Sequence, residues 1–210
     1  MKPEPSLKRA YVFFDGQNLF RSAKDAFGFN YPNYDPIPLS KLVCGAYGWS
    51  LEKVFFYTGV PDASDDPRWN HFWTSKLAHM GRQGIAVFSR PLRYRNQTIR
   101  LPDGSEQSVL VGQEKGIDVR LALDVVRCAR ANLCDVVVIF SQDQDLSEVA
   151  DEIRMIAAEQ GRWIKIASAF PDSPTMRNRR GINKTDWMKI ARSDYERCVD
   201  TNDYRPKPKA

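Results

Sequence analysis

The chain has 210 residues, with 31 Lys and Arg against 26 Asp and Glu and a formal net charge of +5. That length suits one domain that folds without a disulfide or metal staple, and 42% apolar with 27% charged residues excludes a wholly disordered or collagen-like chain. No apolar run approaches the ~20 residues of a membrane span and Met1–Arg9 lacks the apolar core of a signal peptide, so a cytoplasmic protein with no membrane partner is expected, its charge a mild hint of a polyanionic partner.

Taken in chain order, Arg9–Phe14 is a short apolar, β-prone run that ends at Asp15-Gly16 and predicts a buried strand. Asn18 is placed to cap a helix over Leu19–Phe27, with Gly28 as its stop. Pro32–Pro38 reads as a Pro-rich loop and Ser40 as the opening of a second helix. Leu51–Val60 predicts a strand, Pro61–Pro67 a loop, Trp69–Met80 a helix and Ile85–Ser89 a third short strand. Trp69, Phe72 and Trp73 share that helix, with core burial favoured over a homodimer face. Leu92–Leu101 and Ser108–Val111 flank Pro102-Asp103-Gly104-Ser105, a turn signal that predicts a β-hairpin projecting from the domain. Gly116–Ala131 is read as a helix, Asp135–Phe140 as a core strand, Leu146–Ala158 as a helix and Arg162–Ala169 as a strand. A helix start is placed near Thr185-Asp186-Trp187, and the polar stretch after Asp194 is expected to be disordered. Cys44, Cys128, Cys134 and Cys198 show no metal spacing and are expected as buried thiols. Continuous apolar strands alternating with helices predict an α/β fold, a mainly parallel sheet covered on both faces. The division is an N-terminal extension over 1–8, one domain over 9–193 with a hairpin insertion over 90–112, and a basic tail over 194–210.

In open α/β sheets ligands bind at the carboxyl ends of the strands. That rule selects Asp15 at the end of the first strand, Asp143 and Asp145 just after Phe140, and Asp118 in the first turn of a helix. Carboxylates converging without Lys or Arg repel one another, and a hard cation such as Mg²⁺ or Mn²⁺ relieves that repulsion. A cation with open positions supports phosphodiester hydrolysis with no His or Cys nucleophile. The bland readings are helix caps: Asp143 alone is best read so, Asp118 shares that reading, and Asp15 can cap the following helix.

Val12-Phe13-Phe14-Asp15-Gly16-Gln17-Asn18-Leu19 resembles the opening motif of NYN domains, in the PIN-like nuclease superfamily. Lys115-Gly116-Ile117-Asp118 through Asp124 is similar to the family's central motif, and Ser141-Gln142-Asp143-Gln144-Asp145-Leu146 to its third, usually Ser-Gly-Asp-x-Asp-Phe. The three stand in the family's order, and the nearest subgroup by resemblance is the LabA-like (DUF88) proteins. The resemblance implies a three-layer α/β/α, PIN-like (Rossmann-like) domain and metal-dependent ribonuclease activity. It implies Asp15, Asp118, Asp143 and Asp145 as metal-holding and catalytic residues, with Asn18, Ser141, Asp124 and Lys115 in support. Asp124 lies six helical residues from Asp118, on a different face, which suits a supporting or structural role. Gln142 stands where the family usually has Gly, and Leu146 where it has Phe.

Phosphate contacts are expected from two basic runs. Segment 90–100 carries Arg93 and Arg95 on one strand face and Tyr94 on the other, a pattern suited to single-stranded or loop RNA. Its competing reading is a solvated hairpin whose arginines prevent edge pairing. Arg177, Arg179 and Arg180 follow the last strand on its carboxyl side. The reading is a Mg²⁺- or Mn²⁺-dependent endoribonuclease; the alternative is a catalytically silent RNA-binding module on the same fold.

Overall fold

The computed structural model describes residues 3–101 and 103–206. Its centre is β1 (Arg9–Asp15), in which every side chain from Val12 to Asp15 is buried. β1 pairs in parallel with β2 (Ser50–Val60) on one side and β6 (Val136–Phe140) on the other. β3 (Ala86–Pro91), β7 (Lys165–Pro171) and β8 (Asp186–Ile190) complete a six-stranded sheet of order β3-β2-β1-β6-β7-β8, with every pairing parallel. The strand order reverses at β1 and β6, the switch point at which such sheets open a crevice.

The period-2 alternation of β1 and β6 feeds two cores at once. Val12, Phe14, Val138 and Phe140 pack against α1 (Gly16–Phe27), α2 (Pro36–Ala46) and α3 (Pro67–Arg82). Phe13, Val137 and Ile139 pack against α4 (Ile117–Arg130) and α5 (Ser147–Glu159). This is the three-layer α/β/α arrangement. β4 (Arg93–Arg100) and β5 (Glu106–Gln113) form a separate antiparallel ribbon, with Pro102 of the predicted turn outside the described residues.

Several boundaries differ from the sequence reading, and the reason is capping. α1 begins at Gly16, with Asp15 rather than Asn18 as its N-cap. α2 begins at Pro36 under Asp35, so the Pro-rich loop contains a helix start; Ser40 lies inside the helix and donates to the Pro36 carbonyl at 2.7 Å. α3 begins at Pro67 under Asp66. Proline suits the first helical turn, where its missing N–H leaves no bond unmade.

The C-terminal stretch brings two corrections. Residues 186–190 form strand β8 rather than a helix. The segment after Asp194, expected to be disordered, packs on the domain: α6 (Arg192–Glu196) buries Tyr195, and Cys198 is buried beyond it. Tyr34 and Val199 form an isolated antiparallel bridge, and Lys76 Nζ reaches Asp200 at 2.8 Å. Residues 207–210 of that tail lie outside the described residues. All four cysteines are buried free thiols. Phe72 and Trp73 are core residues, and Trp69 is partly buried against the same core. Among the described residues no helix is long and apolar enough to cross a membrane.

Candidate active site

Asp15 sits where β1 gives way to α1, at the switch point, and is 7% exposed. One carboxylate oxygen accepts the Asn18 N–H at 3.1 Å; the other accepts the Ser141 hydroxyl at 3.1 Å. Burial pushes its pKa up to about 6, Asp143 adding to the rise while these two bonds and Arg21 oppose it. Asn18 does not cap with its side chain. Its carbonyl oxygen instead accepts the Gln142 N–H at 2.9 Å, tying α1 to the turn after β6.

A cavity of about 440 Å³ opens over Asp15. Asp143 and Asp118 line it, together with Asn18, Arg21 and the end of β5. Asp118 stands at its mouth in the first turn of α4. Asp143 is half-buried and accepts the Asp145 N–H at 3.1 Å, so it caps a short 3₁₀ turn and lines the cavity at once. Asp145 is exposed and is not among the lining residues. Ser141 joins the cluster, since its hydroxyl oxygen also accepts the Asp143 N–H at 3.1 Å.

Glu114 is a lining residue that the sequence reading missed. It accepts the Gly59 N–H, and burial pushes its carboxyl up to about 7, with that bond and Arg21 opposing the rise while Asp15 and Asp118 add to it. A Cβ on Gly59 would lie 2.7 Å from Glu114 Cγ and collide with Leu92, so glycine is what lets Glu114 approach. The available signal was its position immediately before Lys115-Gly116, at the base of the predicted hairpin.

Other expected residues lie apart. Asp124 is buried beneath the sheet, where it accepts the Tyr57 hydroxyl at 2.9 Å and pairs with Arg120 and Arg127 at 2.9 and 2.8 Å. Lys115 makes no ion pair among the described residues. In the ribbon, Arg93 pairs with Gln113 and Arg95 with Val111, two residues that line the cavity. Tyr94 belongs to the opposite face, near the acidic loop of Asp62, Asp65 and Asp66. Arg179 is committed to Asp172 by two bonds at 2.8 and 2.7 Å, whereas Arg177 and Arg180 are exposed.

Residues 9–178 match the NYN domain. The chain belongs to the NYN domain family. A solved structure from Vibrio parahaemolyticus, a protein of unknown function, is similar to this NYN protein at 18% identity and a TM-score of 0.53, covering 92% of this chain and 98% of that one. That likeness supports the fold. MurG from Acinetobacter baumannii aligns at 9% identity and a TM-score of 0.33, over 87% of this chain and 45% of that one, too distant to inform the site. Comparison with curated proteins returned no match.

NYN domains fall within the PIN-like nuclease superfamily, whose members commonly use divalent metals, and the cavity is a test of that expectation. Its donors are carboxylate and amide oxygens, the ligands a hard cation prefers. Burial raises the carboxyls of Asp15 and Glu114, their acidic neighbours add to the rise, and Arg21 in the same lining opposes it. Among the described residues no three His, Cys, Asp or Glu converge into a ready ligand set. The donor chemistry fits a hard cation, while the spacing presents no formed ligand set among the described residues, so direct contacts would come from one or two carboxylates with water completing the shell.

Proposed function

We propose that this NYN domain is a metal-dependent endoribonuclease of the LabA-like (DUF88) type, acting on single-stranded or loop RNA in the cytoplasm. The observation that carries the reading is Asp15: a buried carboxylate at the switch point, fixed by Asn18 and Ser141, opening onto a cavity shared with Glu114, Asp118 and Asp143.

Asp15, Asp118, Asp143 and Glu114 line the cavity, and one or two of them would hold Mg²⁺ or Mn²⁺ directly, the others through water. When bound, such a cation neutralises charge on a phosphodiester and acidifies water for attack at phosphorus. The chain's own residues do the positioning. Asn18 and Ser141 fix both oxygens of Asp15, so one orientation of that carboxylate faces the cavity. Asp145, exposed and outside the cavity lining, is assigned to outer contacts. Arg93 and Arg95 on one side and Arg177 and Arg180 on the other supply cationic partners for the RNA backbone.

The test is cleavage of a labelled single-stranded RNA by tag-free protein with Mg²⁺, with Mn²⁺ and with EDTA, alongside Asp15→Asn. Asparagine is as good an N-cap as aspartate, so α1 is retained. Cleavage that needs the cation and falls by at least ~100-fold in the variant is the expected result, in line with losing one preorganised electrostatic group. Unchanged cleavage in Asp15→Asn overturns the reading. RNA binding without any cation response moves the domain to the silent RNA-binding class.

A further inference from the structure

Segments distant in the chain meet at Gln142. Its N–H ties it to Asn18 on α1, and its side-chain oxygen accepts the Ser22 hydroxyl at 2.7 Å. Its amide group then donates twice to a single loop, to the carbonyls of Asn178 at 3.1 Å and Arg180 at 2.9 Å. Gln144 repeats the device. Its amide donates to the carbonyls of Gln142 and Gly181, both at 3.0 Å, and its oxygen accepts the Asn183 N–H at 3.1 Å. Gln142 is 7% exposed; its bond from Ser22 is buried, and its two bonds to the loop are partly buried, which limits competition from water. A glycine in its place would leave the carbonyls of residues 178 and 180 without those donors.

The loop so held runs between two buried residues, Met176 and Ile182. Of its three arginines, Arg179 is committed to Asp172. Arg180 reaches Asn183 through one terminal nitrogen at 3.1 Å, and Arg177 makes no side-chain hydrogen bond or ion pair among the described residues. A guanidinium carries five donors, so most of the donor capacity of Arg177 and Arg180 faces solvent beside the turn that carries Asp143.

We infer that residues 177–183 form a phosphodiester-binding arm for single-stranded RNA, and that Gln142 is the positioning residue that holds this arm against the turn that carries Asp143. The inference rests on the ribonuclease reading for the identity of the polyanion. Physically, the two glutamines order a polar, arginine-rich loop before substrate arrives, so less ordering is left to be done on binding. They also set a cationic loop beside the turn of Asp143, where it adds to Arg21 in offsetting the repulsion between the cavity's carboxylates and a phosphate chain. Gln142 is then a cross-link between the turn that carries Asp143 and the arginine-bearing loop.

The experiment uses the full chain in EDTA, so that binding is read apart from cleavage. The anisotropy of a fluorescein-labelled single-stranded oligoribonucleotide is titrated across a KCl series. Arg177→Ala with Arg180→Ala should lower the log–log salt slope by ~1.4, two contacts at about 0.7 each. Gln142→Met, which keeps the volume and removes the bonds, should weaken binding several-fold. In the Gln142→Met background the arginine changes should add little further loss, the non-additivity expected of residues that act as a unit. Gln144→Met is the second variant, with the same expectation if Gln142→Met folds poorly. Wild-type affinity in both glutamine variants, or losses that simply multiply, overturns the inference and leaves the ribonuclease reading standing. Failure of the wild type to bind RNA in EDTA overturns the inference alone, because the ribonuclease reading is tested by cleavage with the cation present.

Discussion

Glu114 reaches the cavity only because Gly59 has no side chain, and that contact makes a prediction. Gly59→Ala places a methyl against Glu114 and Leu92, and overpacking of this kind costs about 1–3 kcal/mol. Urea denaturation should show that loss, and RNA cleavage should fall with the displaced carboxylate; a variant as stable as wild type means the cavity wall gives freely. Asp124 makes the opposite case. It carries the Tyr57 hydroxyl and two arginines away from the cavity, so Asp124→Ala should cost about 1–3 kcal/mol by leaving the buried hydroxyl unpaired. Activity per folded molecule should stay unchanged, and a specific loss of turnover would place Asp124 in the chemistry after all. The sequence separated these acids only in part. The position of Asp124 on a different helix face from Asp118 was legible from helical periodicity. Glu114 was not, because its role depends on the ribbon folding back over β2.

At the scale of elements, the strands were legible because β1, β2, β6 and β7 are runs of apolar residues long enough to announce themselves. Helix starts lie four residues before the expected Ser40 at α2 and two before the expected Trp69 at α3, because proline, a loop signal in sequence, occupies the first helical turn. The tail was misread for a different reason. Its anchors, Tyr195 and Cys198, are separated by polar residues, and its main tie is an ion pair that no local pattern shows. Lys76 is 1% exposed at its side chain and Asp200 6%, with Lys76 also bonded to the Tyr34 carbonyl at 2.9 Å. Removing one partner of such a pair costs about 3–5 kcal/mol. Asp200→Ala should therefore lower the melting temperature sharply, whereas Lys76→Met with Asp200→Leu should cost less than the two single losses combined. Burial raises the Asp200 carboxyl, but the Lys76 bond and charge outweigh it and leave the pKa below the ordinary 3.8. A depressed acid contributes stability that is present above 3.8 and lost as pH falls through its folded value. The wild type should lose stability below about pH 4, and Asp200→Ala should lose less over that window. Equal acid sensitivity in the two proteins would remove this pair from the account.

Across the whole molecule, the net charge of +5 is a small difference between larger numbers, and the fold separates them in space. Four acids line the cavity where the strand order reverses, the ribbon that carries Arg93 and Arg95 ends at that cavity, and the loop that carries Arg177 and Arg180 is bonded to the turn of Asp143. The ribbon is a sheet of its own, so its surface can change without disturbing the six parallel strands. Two roles compete for Arg93 and Arg95: holding RNA, or keeping a ribbon edge from pairing with another copy. The end of the ribbon that carries them favours the first, because its partner residues Val111, Gly112 and Gln113 line the acidic cavity. Arg93→Ala with Arg95→Ala should lower the salt slope of single-stranded RNA binding by ~1.4, with the melting temperature unchanged and sedimentation velocity showing no new species. An unchanged slope together with concentration-dependent association would assign these arginines to edge protection. The phosphate contacts would then fall to Arg177 and Arg180 alone, on one side of the crevice.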